Sequence, residues 1–137
     1  MIAIAEIEAA RERIAGAAVR TPLVRLPVEE AEIWCKLEML QPIGSFKIRG
    51  AANAVRSADP AVVARGLVTA SAGNMAQGVS WLARELGVPA TIAVPDHAPA
   101  AKLDAIARLG GKVLKLPYAD WWECIERNRV PGVEAEL

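Results

Sequence analysis

The sequence is poor in the residues that mark metal-binding, secreted or membrane proteins. Its 137 residues include one histidine and two cysteines. Cys35 and Cys124 lie far apart without the spacing of metal ligands, which favours reduced thiols in a cytosolic protein and no metal site. The first residues lack a basic region followed by a long apolar one, so they do not form a secretory signal. No apolar run approaches the ~18 residues of a membrane span. We therefore expect a cytoplasmic protein without a membrane partner.

Charge of either sign is not in excess, because 16 lysines and arginines balance 16 aspartates and glutamates. This balance gives no reason to expect a nucleic-acid partner. Aromatic residues are scarce, at 4%, whereas 53% of the residues are hydrophobic, enough for one modest core. Trp121 and Trp122 stand together, and we expect them to pack inside or to form surface that further chain covers.

The segment before residue 66 mixes helical and extended patterns. Ile4, Ile7 and Ile14 have the spacing of one helix face, and the helix should end near Gly16. "RTPLVRLP" is extended by its prolines, and "EIWCKLEML" has the composition of a strand. A helix should follow from Ile48, and Asp59 followed by proline predicts the start of another.

Apolar strands and helices alternate regularly from Gly66 onward. "GLVTAS", "ATIAVP" and "KVLKLP" are predicted strands, and a helix follows each of them. The residues expected to face inward are Met75, Val79, Leu82 and Leu86 on the first helix and Leu103, Ile106 and Ala107 on the second. Gly87 should end the first helix, and Asp120 and Glu123 have the spacing of a capping box in the third. This order predicts right-handed crossovers and an α/β fold of three αβα layers around a parallel sheet.

The stretch "QPIGSFKIRGA" contains the first candidate for chemistry, Lys47. Ser45 is a good helix cap, which places Lys47 in the first helical turn, where the helix dipole disfavours a cation. Phe46 and Ile48 should shield the amine from water, and both effects lower the pKa of Lys47 toward a nucleophilic amine suited to Schiff-base chemistry. The alternative is a lysine at a helix start that extends into water.

The stretch "SAGN", residues 71–74, contains the second candidate. It lies where an apolar strand turns into a helix, and backbone N–H groups at such a turn bind carboxylates or phosphates. The alternative is that Ser71 or Asn74 simply caps the helix. An amine and an anion site together favour an amino-acid substrate held beside an aldehyde cofactor.

"LEMLQPIGSFKIRGA" followed by "TASAGNMAQGVS" strongly resembles the threonine and serine dehydratase family of pyridoxal-phosphate enzymes, which have fold type II and are tryptophan synthase beta-like. The resemblance extends over nearly all of the chain, including "TPL" and "VPDHAPAAKLDAIARLGGKV". It implies pyridoxal 5'-phosphate as cofactor and a lyase that converts L-threonine or L-serine to a 2-oxo acid and ammonia. It also implies a homo-oligomer for a full-length enzyme.

The resemblance assigns roles residue by residue. Lys47 matches the lysine that binds the cofactor aldehyde as an imine and then removes the substrate's alpha proton. Asn74 matches the asparagine that hydrogen-bonds the phenolic oxygen of the cofactor, and Phe46 matches the residue beside its ring. The loop that grips the substrate carboxylate corresponds to Ser71, Ala72, Gly73, Asn74 and Met75.

Three positions separate this chain from relatives. Ile48 stands where threonine and cysteine synthases usually carry aspartate, which disfavours those activities. Ala72 stands where serine racemases carry a catalytic serine, which favours dehydration over racemisation. Met75 replaces a common histidine and leaves the substrate preference open, so a 3-hydroxyaspartate dehydratase and a serine racemase remain alternatives.

Two parts of the family pattern are missing: a glycine-rich loop for the cofactor phosphate and a residue facing the pyridine nitrogen. Gly110-Gly111 is too short for the loop and is typical of a helix stop. The family pattern implies that residues 1–50 begin the large domain, 51–128 form the small parallel domain and 129–137 start a truncated return to the large domain. We expect that this incomplete chain does not retain the cofactor alone, and a non-catalytic fragment is the competing hypothesis. His97 is predicted to be a solvent-facing loop residue and Asp96 a helix cap, and the role of Arg49 is open.

Overall fold

Two sheets of different type organise residues 1–133, the part of the chain that the computed structural model describes. Strands β1 (Leu23–Arg25) and β2 (Trp34–Lys36) form a small antiparallel pair. Strands β3 (Leu67–Ala70), β4 (Ala90–Pro95) and β5 (Lys112–Leu116) form a parallel sheet in the order β3-β4-β5. The predicted parallel sheet is confirmed, whereas the antiparallel pair was not foreseen.

The helices connect these strands in the predicted alternation. They are α1 (Ile4–Arg13), α2 (Lys47–Ser57), α3 (Pro60–Val63), α4 (Asn74–Leu86), α5 (Ala100–Arg108) and α6 (Tyr118–Arg127), with a short 3-10 helix at Glu38–Leu40. Asp59 caps α3 as predicted, because its Oδ1 accepts the N–H of Ala61 at 2.7 Å. Gly87 ends α4 with a φ of 70°, a left-handed conformation that favours glycine.

The parallel sheet has an apolar layer on each face. Ile92 and Val94 of β4 are fully buried in a cluster with α2, α4 and α5, whereas Ala93 between them lies in a second cluster with Cys124 of α6. Successive side chains of a strand point to opposite faces, so α4 and α5 cover one face and α6 covers the other. The predicted three-layer αβα arrangement is confirmed.

Several expected helix faces and ends differ in the structure. Ile4 and Ile7 are 75% and 58% exposed, and α1 buries none of its residues. Leu86 is 48% exposed and Ala107 is also exposed. The inward orientation predicted for Leu86 and Ala107 was wrong, whereas for Ile4 and Ile7 only a shared face was predicted. Periodicity tells which residues share a face, not whether another element covers it.

The strand predicted at "EIWCKLEML" is confirmed only for Trp34–Lys36, and the capping box predicted at Asp120 and Glu123 was wrong. The first divides into β2 and the 3-10 helix, because the chain turns after Leu37. The helix predicted to carry the box begins earlier, where the carbonyl of Pro117 accepts the N–H of Trp121 at 2.9 Å.

The domain division stays a prediction. Its boundary at residue 50 lies inside α2, whose Ile48 and Ala52 belong to the same apolar cluster as α4. Residues 134–137 of the predicted last segment lie outside the described part of the chain. Within residues 1–133, no helix combines the length and the hydropathy that crossing a membrane requires.

Candidate cofactor and substrate site

Lys47 is the first residue of α2 and follows a tight turn. The N–H of Gly44 donates to the carbonyl of Gln41 at 2.7 Å, and Gly44 has a φ of 66° that other residues rarely adopt. Ser45 is buried, and its Oγ accepts the N–H of Lys47 at 3.3 Å. Ser45 therefore accepts an N–H at the helix start, but the cap position is Phe46, one residue later than predicted.

The surroundings of the Lys47 amine differ from the expectation. Lys47 is exposed, and its Nζ lies 5.3 Å from the ring centroid of Phe46, which is itself 57% exposed. Of the two neighbours, only Ile48 is buried, and it points into the core. Within residues 1–133, the prediction that Phe46 and Ile48 both shield the amine from water was wrong, because adjacent helical positions face different directions.

A partly buried polar network holds the turn before Lys47. Arg49 donates to both carboxylate oxygens of Glu38, from Nε at 2.9 Å and from Nη2 at 2.8 Å. Thr21 Oγ1 donates to Glu38 Oε1 at 2.5 Å. The Arg49 hydrogen bonds, with help from Thr21, hold the pKa of Glu38 at about 2, and the Glu38 carboxylate raises the pKa of Arg49. Arg49 lies two residues beyond Lys47, and the sequence left its role open. In the structure it pairs with an acid, Glu38.

Gln41 extends this network to the backbone near the N-terminal segment. Its Oε1 accepts the N–H of Val19 and its Nε2 donates to the carbonyl of Val19, both at 2.9 Å. Gln41 is 4% exposed, so these bonds satisfy its side chain in a buried place. Sequence reasoning missed the network; its only signal was Glu38, one of three charged residues in "EIWCKLEML". We infer that Gln41, Glu38 and Arg49 position the Lys47 turn.

The loop 71–73 joins β3 to α4, and some of its backbone N–H groups already donate to acceptors within the protein. The N–H of Ser71 donates to the carbonyl of Ala93 at 3.0 Å, and the N–H of Gly73 donates to Ser71 Oγ at 3.2 Å. The Ser71 hydroxyl therefore bonds within its own loop and does not cap α4, whose cap residue is Gly73. Asn74 is the exposed first residue of α4.

The remaining donors of this loop are free to bind an anion. The N–H groups of Ala72, Asn74 and Met75 have no acceptor among residues 1–133. Those of Asn74 and Met75 lie at the positive end of a 13-residue helix, where a carboxylate is favoured. The loop can hold a carboxylate through fewer N–H groups than the sequence implied, because two are already bonded.

The two candidate stretches meet where α2 packs against α4. A Cβ added at Gly78 would lie 3.2 Å from the Cβ of Ala51 and 3.8 Å from the carbonyl oxygen of Lys47. Gly78 lies one turn beyond Asn74 on α4. The absence of a side chain at Gly78 therefore lets the start of α2, which carries Lys47, approach the first half of α4.

Other residues considered at the sequence level lie in structural roles. His97 is exposed in its loop as predicted, and its Nδ1 lies 3.1 Å from Asp96 Oδ1. Asp96 was expected to cap α5, but that helix begins after Pro99. Trp121 Nε1 donates to the carbonyl of Ala93 at 3.1 Å, whereas Trp122 is 46% exposed.

Gly110-Gly111 ends α5 as expected, and a Cβ at Gly111 would overlap Ser80 Oγ. The described residues contain no group of three or more His, Cys, Asp or Glu side chains that could hold a metal.

The residues present fit part of a pyridoxal-phosphate site. Lys47 supplies an accessible primary amine for the aldehyde, and Phe46 supplies an exposed ring face. The exposed side chain of Asn74 can donate to the phenolic oxygen, and the free N–H groups beside it can bind a carboxylate. A cradle for the phosphate is not found within residues 1–133.

Comparison with known proteins agrees with this chemistry. A family model described as "Pyridoxal-phosphate dependent enzyme" matches residues 14–135. The chain is 42% identical over 118 residues to an L-threonine ammonia-lyase of Thermotoga maritima, covering 83% of this chain and 29% of that protein. It is 39% identical over 119 residues to the catabolic L-threonine dehydratase TdcB of Staphylococcus aureus, strain N315, covering 83% of this chain and 34% of that protein.

A similar solved structure is the serine racemase of Dictyostelium discoideum. Its TM-score is 0.84 at 33% sequence identity, and the match covers 99% of this chain and 46% of that one. The chain spans about a third of the length of the two curated relatives, the L-threonine ammonia-lyase and the L-threonine dehydratase.

Proposed function

The chain belongs to the pyridoxal-phosphate-dependent enzyme family, and we propose that it forms the lysine- and carboxylate-binding part of a hydroxy-amino-acid ammonia-lyase. The proposed substrate is L-threonine or L-serine, and the products are a 2-oxo acid and ammonia. One observation carries the proposal: the backbone carbonyl of Lys47, whose side chain is exposed, lies at the contact of α2 with α4, and α4 begins with free N–H groups at Asn74 and Met75. A cytoplasmic location and a homo-oligomer belong to the same proposal.

Different groups of the protein would bind the cofactor and the substrate. Lys47 Nζ would hold the cofactor covalently and, once released, accept the alpha proton of the substrate. The N–H groups of Ala72, Asn74 and Met75 would bind the substrate carboxylate and orient the bond to that proton. The cofactor, when bound, supplies the electron sink that stabilises the resulting negative charge.

The Glu38–Arg49 pair would act on the position of the amine rather than on the substrate. Arg49 lies two residues from Lys47 and donates to the backbone of Val19, so the pair restricts the start of α2. A preorganised amine loses less conformational entropy when it reacts.

The proposal can be tested by trapping the cofactor on the protein. The chain is incubated with pyridoxal phosphate, reduced with borohydride and mapped by mass spectrometry. We expect the label on Lys47 and its loss in Lys47→Arg, whereas Lys102→Arg, a change at another exposed lysine, should leave it unchanged. Asn74→Ala should lower the yield of the trapped label at a given cofactor concentration, because one hydrogen bond to the bound group is lost.

Product analysis separates the alternatives. 2-Oxobutanoate from L-threonine would support the ammonia-lyase, whereas D-serine from L-serine would support a racemase instead. A folded chain that is neither labelled at Lys47 nor active would favour a non-catalytic fragment. Activity on 3-hydroxyaspartate alone would change the substrate and keep the reaction class.

A further inference from the structure

An open cleft of about 540 Å³ lies at the carboxyl ends of the parallel strands. The loop 71–73 after β3 lines one side of it, and the chain after β4 and the first turns of α6 line the rest. Ligands of parallel α/β sheets bind at this end of the strands, and the volume suits a small molecule. Of the described residues, neither Lys47 nor Asn74 lines the cleft. The cleft is therefore a separate place for a ligand, beside the candidate cofactor site.

A row of four aromatic rings lines the cleft at α6. The ring centroids of Tyr118 and Trp122 are 6.3 Å apart, with an angle of 21° between the ring planes. Trp121 and His97 each have their ring centroid 5.7 Å from that of Tyr118. Tyr118 and Trp122 are 53% and 46% exposed. The row therefore offers aromatic surface on which a planar ring can stack.

Hydrogen bonds hold the two indoles of this row in place. Trp121 Nε1 donates to the carbonyl of Ala93 in β4 at 3.1 Å, and Trp122 Nε1 donates to Glu126 Oε1 at 2.8 Å. The indole N–H groups are thus bonded within the protein, and the ring faces remain for a ligand. Because these rings are already ordered, a ligand that stacks on them loses less free energy to the ordering of side chains.

The cleft also contains groups that bind an anion. Lys102 of α5 is exposed, lines the cleft and forms no ion pair within residues 1–133. Ala72 lines it too, and its N–H has no acceptor in the same part of the chain. None of the described residues that line the cleft is an aspartate or a glutamate. One cation and one free N–H match the two oxygens of a carboxylate better than the three of a phosphate.

We propose that this cleft binds a small aromatic carboxylate. Its ring would stack on Tyr118 and Trp122, and its carboxylate would accept hydrogen bonds from Lys102 and from the N–H of Ala72. Such a ligand would contact the loop to which the proposed function assigns the substrate carboxylate. It is nevertheless a second ligand in a second place, so the inference does not depend on the proposed reaction.

The test is a titration of the whole isotope-labelled chain with 3-phenylpropanoate, followed by NMR. We expect saturable shifts of the Ala72 amide and of the Trp122 indole N–H. Two matched compounds each lack one of the two interactions: 3-phenylpropanamide has the ring without the charge, and 3-cyclohexylpropanoate has the charge without a planar ring. Each should bind at least about fivefold more weakly. Equal affinity for the three compounds would overturn the inference, as would the absence of saturable shifts at these two groups.

Matched variants locate the binding. Lys102→Gln removes the cation and should lower the affinity at least about tenfold. Lys112→Gln, at an exposed lysine of β5 outside the cleft, should leave the affinity unchanged. Trp122→Leu replaces a half-exposed ring by an aliphatic side chain and should lower the affinity about fivefold, while circular dichroism checks that the variant is folded. Wild-type affinity in folded Lys102→Gln or Trp122→Leu would overturn the inference, and so would an equal loss in Lys112→Gln.

Discussion

The segment before Lys47 and the segment after it differ in where their apolar side chains lie. Within residues 1–133, thirteen of the seventeen large apolar side chains that are exposed precede Lys47, whereas Ala17 alone of the seventeen buried apolar residues does. The later segment buries its side chains on both faces of a parallel sheet. The earlier one has two short strands and a helix that bury almost nothing.

Hydrogen bonds hold the earlier segment where apolar packing is missing. Arg56 donates to the carbonyl of Ala15 at 2.7 Å, and Arg13 Nε donates to Asn53 Oδ1 at 2.8 Å. The Glu38–Arg49 pair does the same at the turn before Lys47. Apolar burial stabilises in proportion to area, whereas each such bond adds only ~1 kcal/mol. Lys47, which carries the candidate amine, therefore lies at the boundary between a packed core and a segment held by polar contacts.

The largest expected effect contrasts one isoleucine from each segment. Ile92→Ala empties a fully buried position and should lower the free energy of unfolding by about 2–5 kcal/mol. Ile7→Ala changes a residue that is 58% exposed and should cost less than about 0.5 kcal/mol. Urea unfolding followed by circular dichroism measures both. Equal losses would show that α1 is packed in solution, and the comparison would fail.

A smaller effect concerns the polar anchor. Glu38→Gln should lower the free energy of unfolding at neutral pH by about 2 kcal/mol, because it removes a charged hydrogen-bonding partner of Arg49. The folded-state pKa of Glu38, about 2, lies below the ordinary value of 4.5 for this carboxyl group. The stabilisation is therefore present above about pH 4.5 and is lost as the pH falls toward 2.

The control for this prediction is Glu12→Gln, which breaks an exposed ion pair to Arg11 and should have little effect. Unfolding curves of the three proteins between neutral pH and pH 2 make the comparison. A difference between wild type and Glu38→Gln that is the same at every pH would contradict the assignment to the carboxylate.

The smallest effect changes reactivity and not stability. Cys35 of β2 is half-buried, whereas Cys124 of α6 is 2% exposed, and burial raises the pKa of its thiol. A disulfide reagent should therefore label Cys35 about tenfold faster or more. Cys35→Ser should leave a chain that reacts slowly until urea unfolds it. Fast labelling of that variant under native conditions would show that α6 readily moves away from the sheet and exposes Cys124.

Much of the core was predictable, because strands buried on both faces appear as short apolar runs. "ATIAVP" corresponds to β4 in full, and Asp59 and Gly87 mark helix ends through local chemistry. The faces of α1 and the end of α4 were not predictable in the same way. Ile7 and Leu86 have the spacing of buried residues, but burial requires a second surface that the pattern of one segment does not contain.

The candidate site shows the same division. Lys47 and Asn74 were found from their motifs, since a helix start after a glycine or a strand is a local feature. The Glu38–Arg49 pair was missed because eleven residues separate its members without a shared period. The donors already used by Ser71 and Gly73 were also missed, since a motif cannot tell which N–H groups are bonded to neighbouring strands.

The sequence by itself determined the alternation of strands and helices, the ends of several helices and the family to which the two motifs point. These features depend on residues close together in the chain, whose preferences act before the chain is folded. Only the tertiary structure decided that Lys47 is exposed, that Glu38 anchors its turn and that, within residues 1–133, one edge of β3 has no partner strand. Each of these depends on which distant surfaces meet, and that is settled by the packing of the whole chain.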